Sequence, residues 1–173
     1  ILKALNTESP ATGFKALYSD LSDPRWRDVT QSLLELPDFK FIHLTRRNSL
    51  RRFVSEKILQ SGGPNHSGAG GKSENRIKVH IDIDAYLRST AEIEAESRQF
   101  ISLLAKKELL TITYEQLSTD TAATVTAVCQ FLGLDTLPLG IKPALKKVGA
   151  IDLRDSVSNY QDLLDNPATR DLA

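Results

Sequence analysis

One stretch constrains the fold of this chain more than any other: Phe39 to Ser55, FKFIHLTRRNSLRRFVS. Its first half, Phe39 to Thr45, is an apolar run of β-formers that follows Pro37-Asp38 and ends in charge, which predicts a buried strand. Its second half predicts a helix, with Asn48 as N-cap and Leu50, Phe53, Val54 and Ile58 at helical spacing. A strand passing through a tight turn into a helix is where α/β proteins commonly bind phosphates, because helix N-termini favour anions. Here the turn carries Arg46 and Arg47. Ser55 lies seven residues past the cap, about two turns or roughly 10 Å along the same helix face. Arg47 and Ser55 therefore predict a site for one anion lying alongside the helix. Arginine supplies a fixed-charge fork and serine a small donor close to the backbone. The pattern also leaves open a solvated basic face made of Arg46, Arg47, Arg51 and Arg52, with Ser55 as filler.

A chain of 173 residues is long enough for one domain with a substantial core. Its 22 basic and 22 acidic residues balance, so no global field points to nucleic acid or a membrane surface. The single cysteine excludes an internal disulfide and favours a reducing, cytoplasmic setting. Cys129, beside Val128 and Phe131 in an apolar helical pattern, is expected in the core. No apolar run is long enough for a transmembrane span, no signal-peptide pattern is present, and no metal is called for.

In chain order, Thr12 to Tyr18 is expected as a short strand carrying Lys15. Ser19 to Leu36 is expected as a helix opened by Pro24, with Trp26 as a packing anchor. His43, inside the buried strand, is expected to be a satisfied core residue. Residues 60–76 form a glycine-rich stretch expected to be a flexible loop. It contains HSGAGGKS, but a phosphate-binding P-loop would need glycine where His66 stands, and would have to follow a strand and open a helix. Asn65-His66-Ser67 is formally a glycosylation sequon, without a secretory signal to use it. Ile77 to Ile83 is β-like, and Asp84 to Lys107 is the longest helical pattern, capped by Asp82 or Asp84. Leu109 to Tyr114 predicts a strand. Thr119 or Asp120 then caps a helix that Gly133 ends. Residues 135–150 are loop-like and carry Lys142, Lys146 and Lys147. A final amphipathic helix over 153–164 is broken by Asn166-Pro167, with polar, frayed residues after it. This order calls for an α/β fold of three layers with a mainly parallel sheet.

The segment IHLTRRNSLRRFVS, with an arginine at the strand end, an asparagine beside it and a serine eight residues after Arg47, resembles the 3′-phosphate-binding segment of sulfotransferases that use 3′-phosphoadenylyl sulfate (PAPS). It is most similar to the bacterial nodulation-factor type. GFKALYSDL (13–21), ITYEQLSTDTAATVTAVCQFLGLD (112–135) and DLRDSVSNYQDLLD (152–165) resemble further family segments in the right order. The resemblance implies a P-loop NTPase-like sulfotransferase fold and transfer of a sulfuryl group from PAPS to a hydroxyl of a carbohydrate or glycolipid. It implies that Arg47 and Ser55 hold the 3′-phosphate, and that Lys15 reaches the transferring group. Tyr114 either approaches the adenine or anchors its turn by packing. Lys146 and Lys147 are candidates for a basic loop returning to the 3′-phosphate. The cytosolic members' catalytic histidine corresponds to Leu17, so the general base is not carried over. The family's phosphosulfate loop is not in this sequence and is expected before Ile1. The chain then reads as a single sulfotransferase-like domain, 1–173, lacking an N-terminal portion and not competent for catalysis alone. The implied partner is a small-molecule or glycan acceptor rather than nucleic acid, and a homodimer is left open. A P-loop kinase-like enzyme using ATP and a non-catalytic polyanion-binding module are the alternatives.

Overall fold

The computed structural model describes residues 10–62, 77–135 and 152–173. Two compact units share the chain: residues 1–45 with 93–141, and residues 46–92 with 142–173.

The first unit is built on two strands, β1 (Phe41–Thr45) and β2 (Leu109–Thr113), which pair in parallel from Phe41↔Leu109 to Thr45↔Thr113. Both are the β-branched and aromatic runs that the sequence marks as strands. A parallel pair needs a long crossover, and more than sixty residues separate these two strands. Period-two alternation puts Ile42, Leu44, Leu110 and Ile112 on one face and Phe41, His43 and Thr111 on the other. Before β1 lie α1 (Tyr18–Ser22), a 3-10 turn (Pro24–Trp26) and α2 (Arg27–Glu35). Pro24 stands at the first position of that turn, and the Asp23 side chain accepts from the Arg25 amide. The single helix expected over 19–36 is thus broken at Asp23, whose extended backbone ends α1. The expected strand over 12–18 does not form: residues 11–17 are irregular and exposed, and Tyr18 already opens α1. Among the described residues no strand pairs with its backbone, and Phe14 rests against the Phe39 ring at 6.3 Å.

Lysines stitch the strand entrances together. Lys40 Nζ donates to the Phe131 carbonyl at 2.7 Å and pairs with Glu108 at 2.8 Å. Lys107 Nζ donates to the Leu36 carbonyl at 2.9 Å. After β2, Thr113 and Gln116 form a capping box that opens α5 (Tyr114–Thr119). Asp120 then caps α6 (Thr121–Leu132), and Gly133 ends it at φ 73°, a left-handed position that glycine fills without strain. Cys129 is buried in α6.

The second unit holds α3 (Ser49–Gln60), capped by Asn48 as expected, and the first half of α4 (Ile83–Leu103), whose second half belongs to the other unit. Its core joins three distant stretches: Leu50, Phe53 and Val54; Val79, Ile81 and Tyr86; Leu153, Val157 and Leu163. The β-like run before α4 forms a single parallel bridge, Val79 to Val157. The expected helix over 153–164 is correspondingly cut. A 3-10 turn (Leu153–Asp155) comes first, Val157 pairs with Val79, and α7 (Tyr160–Asp165) starts only afterwards. The Asn159 side chain extends this pairing, accepting from the Ile81 amide and donating to the Ile81 carbonyl, and the Ser156 carbonyl and Ser158 amide bond the Val79 backbone, all at 2.9 Å. Backbone groups that serve a strand pairing are not available to continue a helix. The residues past Asn166 are not frayed. Thr169 is fully buried, its hydroxyl donates to the Leu163 carbonyl at 2.6 Å, and Leu172 and Ala173 pack on the core.

Candidate functional site

The residues of the expected anion site, Arg47 and Ser55, lie in the second unit. Asn48 sits in extended backbone (φ −81°, ψ 92°) and its Oδ1 accepts from the Arg51 amide at 2.8 Å. The cap directs the first turn of α3 toward the segment that carries Arg47. Arg47 is exposed, whereas Arg46, Arg51 and Arg52 are half-buried. Arg52 is tied down, with one nitrogen on Glu56 at 3.0 Å and another on Ser89 at 3.2 Å. The four arginines thus differ in exposure, and Arg52 is held along the helix.

Ser55 is half-buried, and its hydroxyl donates to the Arg51 carbonyl at 2.8 Å. Serine bonding back to the preceding turn is common inside helices. To donate to an anion, the hydroxyl has to give up this bond, worth about 1 kcal/mol. Under the helix, Leu50, Phe53 and Val54 are buried, so the apolar side that the spacing marked faces the core. The half-buried Ser49 hydroxyl bonds the Tyr86 hydroxyl at 2.7 Å, tying the first turn to α4.

The remaining candidates belong to the first unit or lie outside the described residues. In the first unit, Lys15 lies in the exposed irregular segment before α1. Tyr114 is half-buried at the first position of α5, where its carbonyl accepts from the Ser118 hydroxyl at 2.6 Å. Lys146 and Lys147, and most of the glycine-rich 60–76 segment, lie outside the described residues. An apolar groove of about 490 Å³ runs along β2 and α6, lined by Leu110, Ile112, Ala123, Thr124 and Ala127 among others, and takes in none of the candidates.

His43 is more than a filled core position. It is 6 % exposed, and its Nε2 shares a short hydrogen bond with the Tyr18 hydroxyl. The rings of Tyr18 and Phe100 stand 5.9 and 6.3 Å from it. Its Nδ1 is buried without a hydrogen-bond partner. Burial among these rings pushes the His43 pKa below the ordinary imidazole range. The sequence showed the burial of His43 but not its tyrosine, since the two lie 25 residues apart. Among the described residues no group of three or more His, Cys, Asp or Glu side chains gathers as a metal site would require, and no helix is long and apolar enough to cross a membrane.

A model of the sulfotransferase family matches residues 11–138, well over half of the chain. The matched span contains Lys15, Arg47, Ser55 and Tyr114 and stops short of Lys146 and Lys147. The chain belongs to the sulfotransferase family, enzymes that transfer sulfuryl groups. No curated protein and no solved structure matches it.

Proposed function

We propose that this protein takes the sulfuryl group from PAPS and passes it to a hydroxyl of a carbohydrate or glycolipid, with Arg47 and Ser55 holding the donor's 3′-phosphate. The observation that carries this reading is the Asn48-capped start of α3, with exposed Arg47 just before it and Ser55 two turns along, inside the span that matches the family. In the reaction the acceptor oxygen attacks sulfur in line and the bond from sulfur to the 5′-phosphate oxygen breaks. 3′-Phosphoadenosine 5′-phosphate leaves, and the acceptor's proton passes to a base that we do not assign. Such a transfer needs mainly positioning and charge stabilisation. Lys15 is the candidate for charge developing on the transferring group, and Tyr114 for contact with adenine. Lys146 and Lys147 are candidates for a further hold on the 3′-phosphate. The β1–β2 pair would be part of a larger, three-layer sheet of the P-loop type, and the nodulation-factor enzymes are the proposed subfamily. A cytoplasmic setting fits the lone buried cysteine.

Calorimetric titration with 3′-phosphoadenosine 5′-phosphate and with AMP tests the reading, because the two nucleotides differ only in the 3′-phosphate. Arg47→Ala should weaken the bisphosphate about 10- to 100-fold, as loss of a charge-assisted bond does, and leave AMP within about twofold. Ser55→Ala should act in the same direction by about three- to fivefold, because its hydroxyl already has a partner in the helix. Equal losses for both nucleotides would overturn the assignment. A preference for ATP over PAPS would point to a kinase-like enzyme instead.

A further inference from the structure

Asn48 makes one hydrogen bond more than a helix cap requires. Capping needs only an acceptor, so Ser, Thr, Asp and Asn serve about equally well. Asn48 Oδ1 performs that task on the Arg51 amide, while its Nδ2 donates to the Leu172 carbonyl at 2.9 Å. The amide has only one orientation that satisfies both neighbours, since one offers an N–H and the other a C=O. Of the usual capping residues, only asparagine carries a donor on a separate atom from its capping oxygen; in serine and threonine one hydroxyl must do both.

The carbonyl it reaches is firmly held. Asn166 closes α7 and accepts from Ala168 through its side chain at 2.9 Å and from Thr169 through its backbone at 3.1 Å. The fully buried Thr169 hydroxyl is fixed on the Leu163 carbonyl, and Leu163 is itself fully buried. Thr169 then receives the amides of Leu172 and Ala173 at 2.9 and 3.1 Å. Residues 166–173 are therefore a short folded brace seated on the core of the second unit, and Asn48 is where that brace meets the start of α3.

We propose that Asn48 is a positioning residue: by bridging the Arg51 amide and the Leu172 carbonyl, it fixes the backbone that carries Arg47 and so sets the preference for a nucleotide bearing a 3′-phosphate. This rests on the 3′-phosphate reading above. Arginine's planar fork rewards a fixed approach to a phosphate. Displacements of about 1 Å in positioning groups are costly in sites of this kind. A turn held on both sides of one amide keeps that approach; a turn held by its cap alone does not.

Two variants loosen the brace from opposite ends. Asn48→Ser retains a capping oxygen, removes the amide N–H2 that reaches Leu172 and adds no charge that would repel a phosphate. Thr169→Val removes the buried hydroxyl and leaves every residue of α3 unchanged. Titrations with the bisphosphate and with AMP, alongside thermal melting, are the readout. Both variants should lose about three- to tenfold in affinity for the bisphosphate, the worth of one hydrogen bond, with AMP held within about twofold. A merely structural role would lower the melting temperature and weaken both nucleotides alike, and that result overturns the proposal. Wild-type discrimination in Asn48→Ser, while Arg47→Ala loses it, overturns the brace and leaves the phosphate reading standing. Undiminished discrimination in Arg47→Ala removes the reading and the inference together. Should Thr169→Val fail to fold, Asn48→Ser alone decides.

Discussion

The two units bury their apolar residues in contrasting ways. In the second, three stretches far apart in sequence close around Leu50, Ile81, Tyr86 and Leu163, each no more than 2 % exposed. In the first, the β1 face bearing Ile42 and Leu44 stays 40 % and 51 % exposed, although parallel sheets are as a rule covered on both faces. The opposite face of β1 is covered by aromatic rings packed around a histidine. One unit is thus a closed apolar core that can hold the start of α3 rigidly. The other presents a narrow sheet whose buried side contains an ionisable group. Positioning belongs with close packing, because a dense core leaves its surface elements few alternative arrangements.

The contrast can be broken at three points. The largest effect is expected in the closed core: Leu163→Ala should cost about 2–5 kcal/mol, the usual loss for a fully buried leucine, read from urea unfolding. A much smaller cost would mean that the second unit is not the well-packed body described here.

A smaller effect should separate the units by pH. His43 is buried in its neutral form, so the unfolded chain takes up the proton more readily. The sign follows: with the folded pKa below the unfolded value, the contribution is intact above about pH 6.5 and is lost as pH falls below it. Unfolding midpoints should therefore drop between pH 7.5 and 5.5, and His43→Gln should flatten that drop. Identical pH slopes in the variant and the parent would show that the Tyr18–His43 pair carries no acid sensitivity.

The smallest effect belongs to the open face. Leu44→Ser replaces a half-exposed side chain and should change stability by no more than about 0.5 kcal/mol. A loss approaching that of Leu163→Ala would show that this face is covered in solution, and the contrast between the units would shrink accordingly.

Much of this was legible from residue order alone. The strand ending at Thr45, expected from Phe39 and found from Phe41, the Asn48 cap, the apolar side of α3, Asp120 as one of two candidate caps and the Gly133 stop all rest on interactions within a few residues. Such local chemistry leaves its mark in spacing. The segment 12–18 was misread because a few apolar side chains resemble a strand whether or not a neighbouring edge exists to pair with it. The final helix is shorter than its spacing predicts because Val79, far back in the chain, takes the Ser156 carbonyl and the Ser158 amide.

Sequence by itself determined the elements around the basic turn, the burial of Cys129 and His43, and the likeness that led to the sulfotransferase family. Only the tertiary structure decided that Arg52 reaches Ser89, that His43 has Tyr18 as its partner, and that Asn48 reaches Leu172, 124 residues further on. The physical reason is that caps and periodicities are settled by neighbours along the chain. The partner of a buried or bridging polar group is settled by whichever distant backbone or side chain the packed core brings beside it.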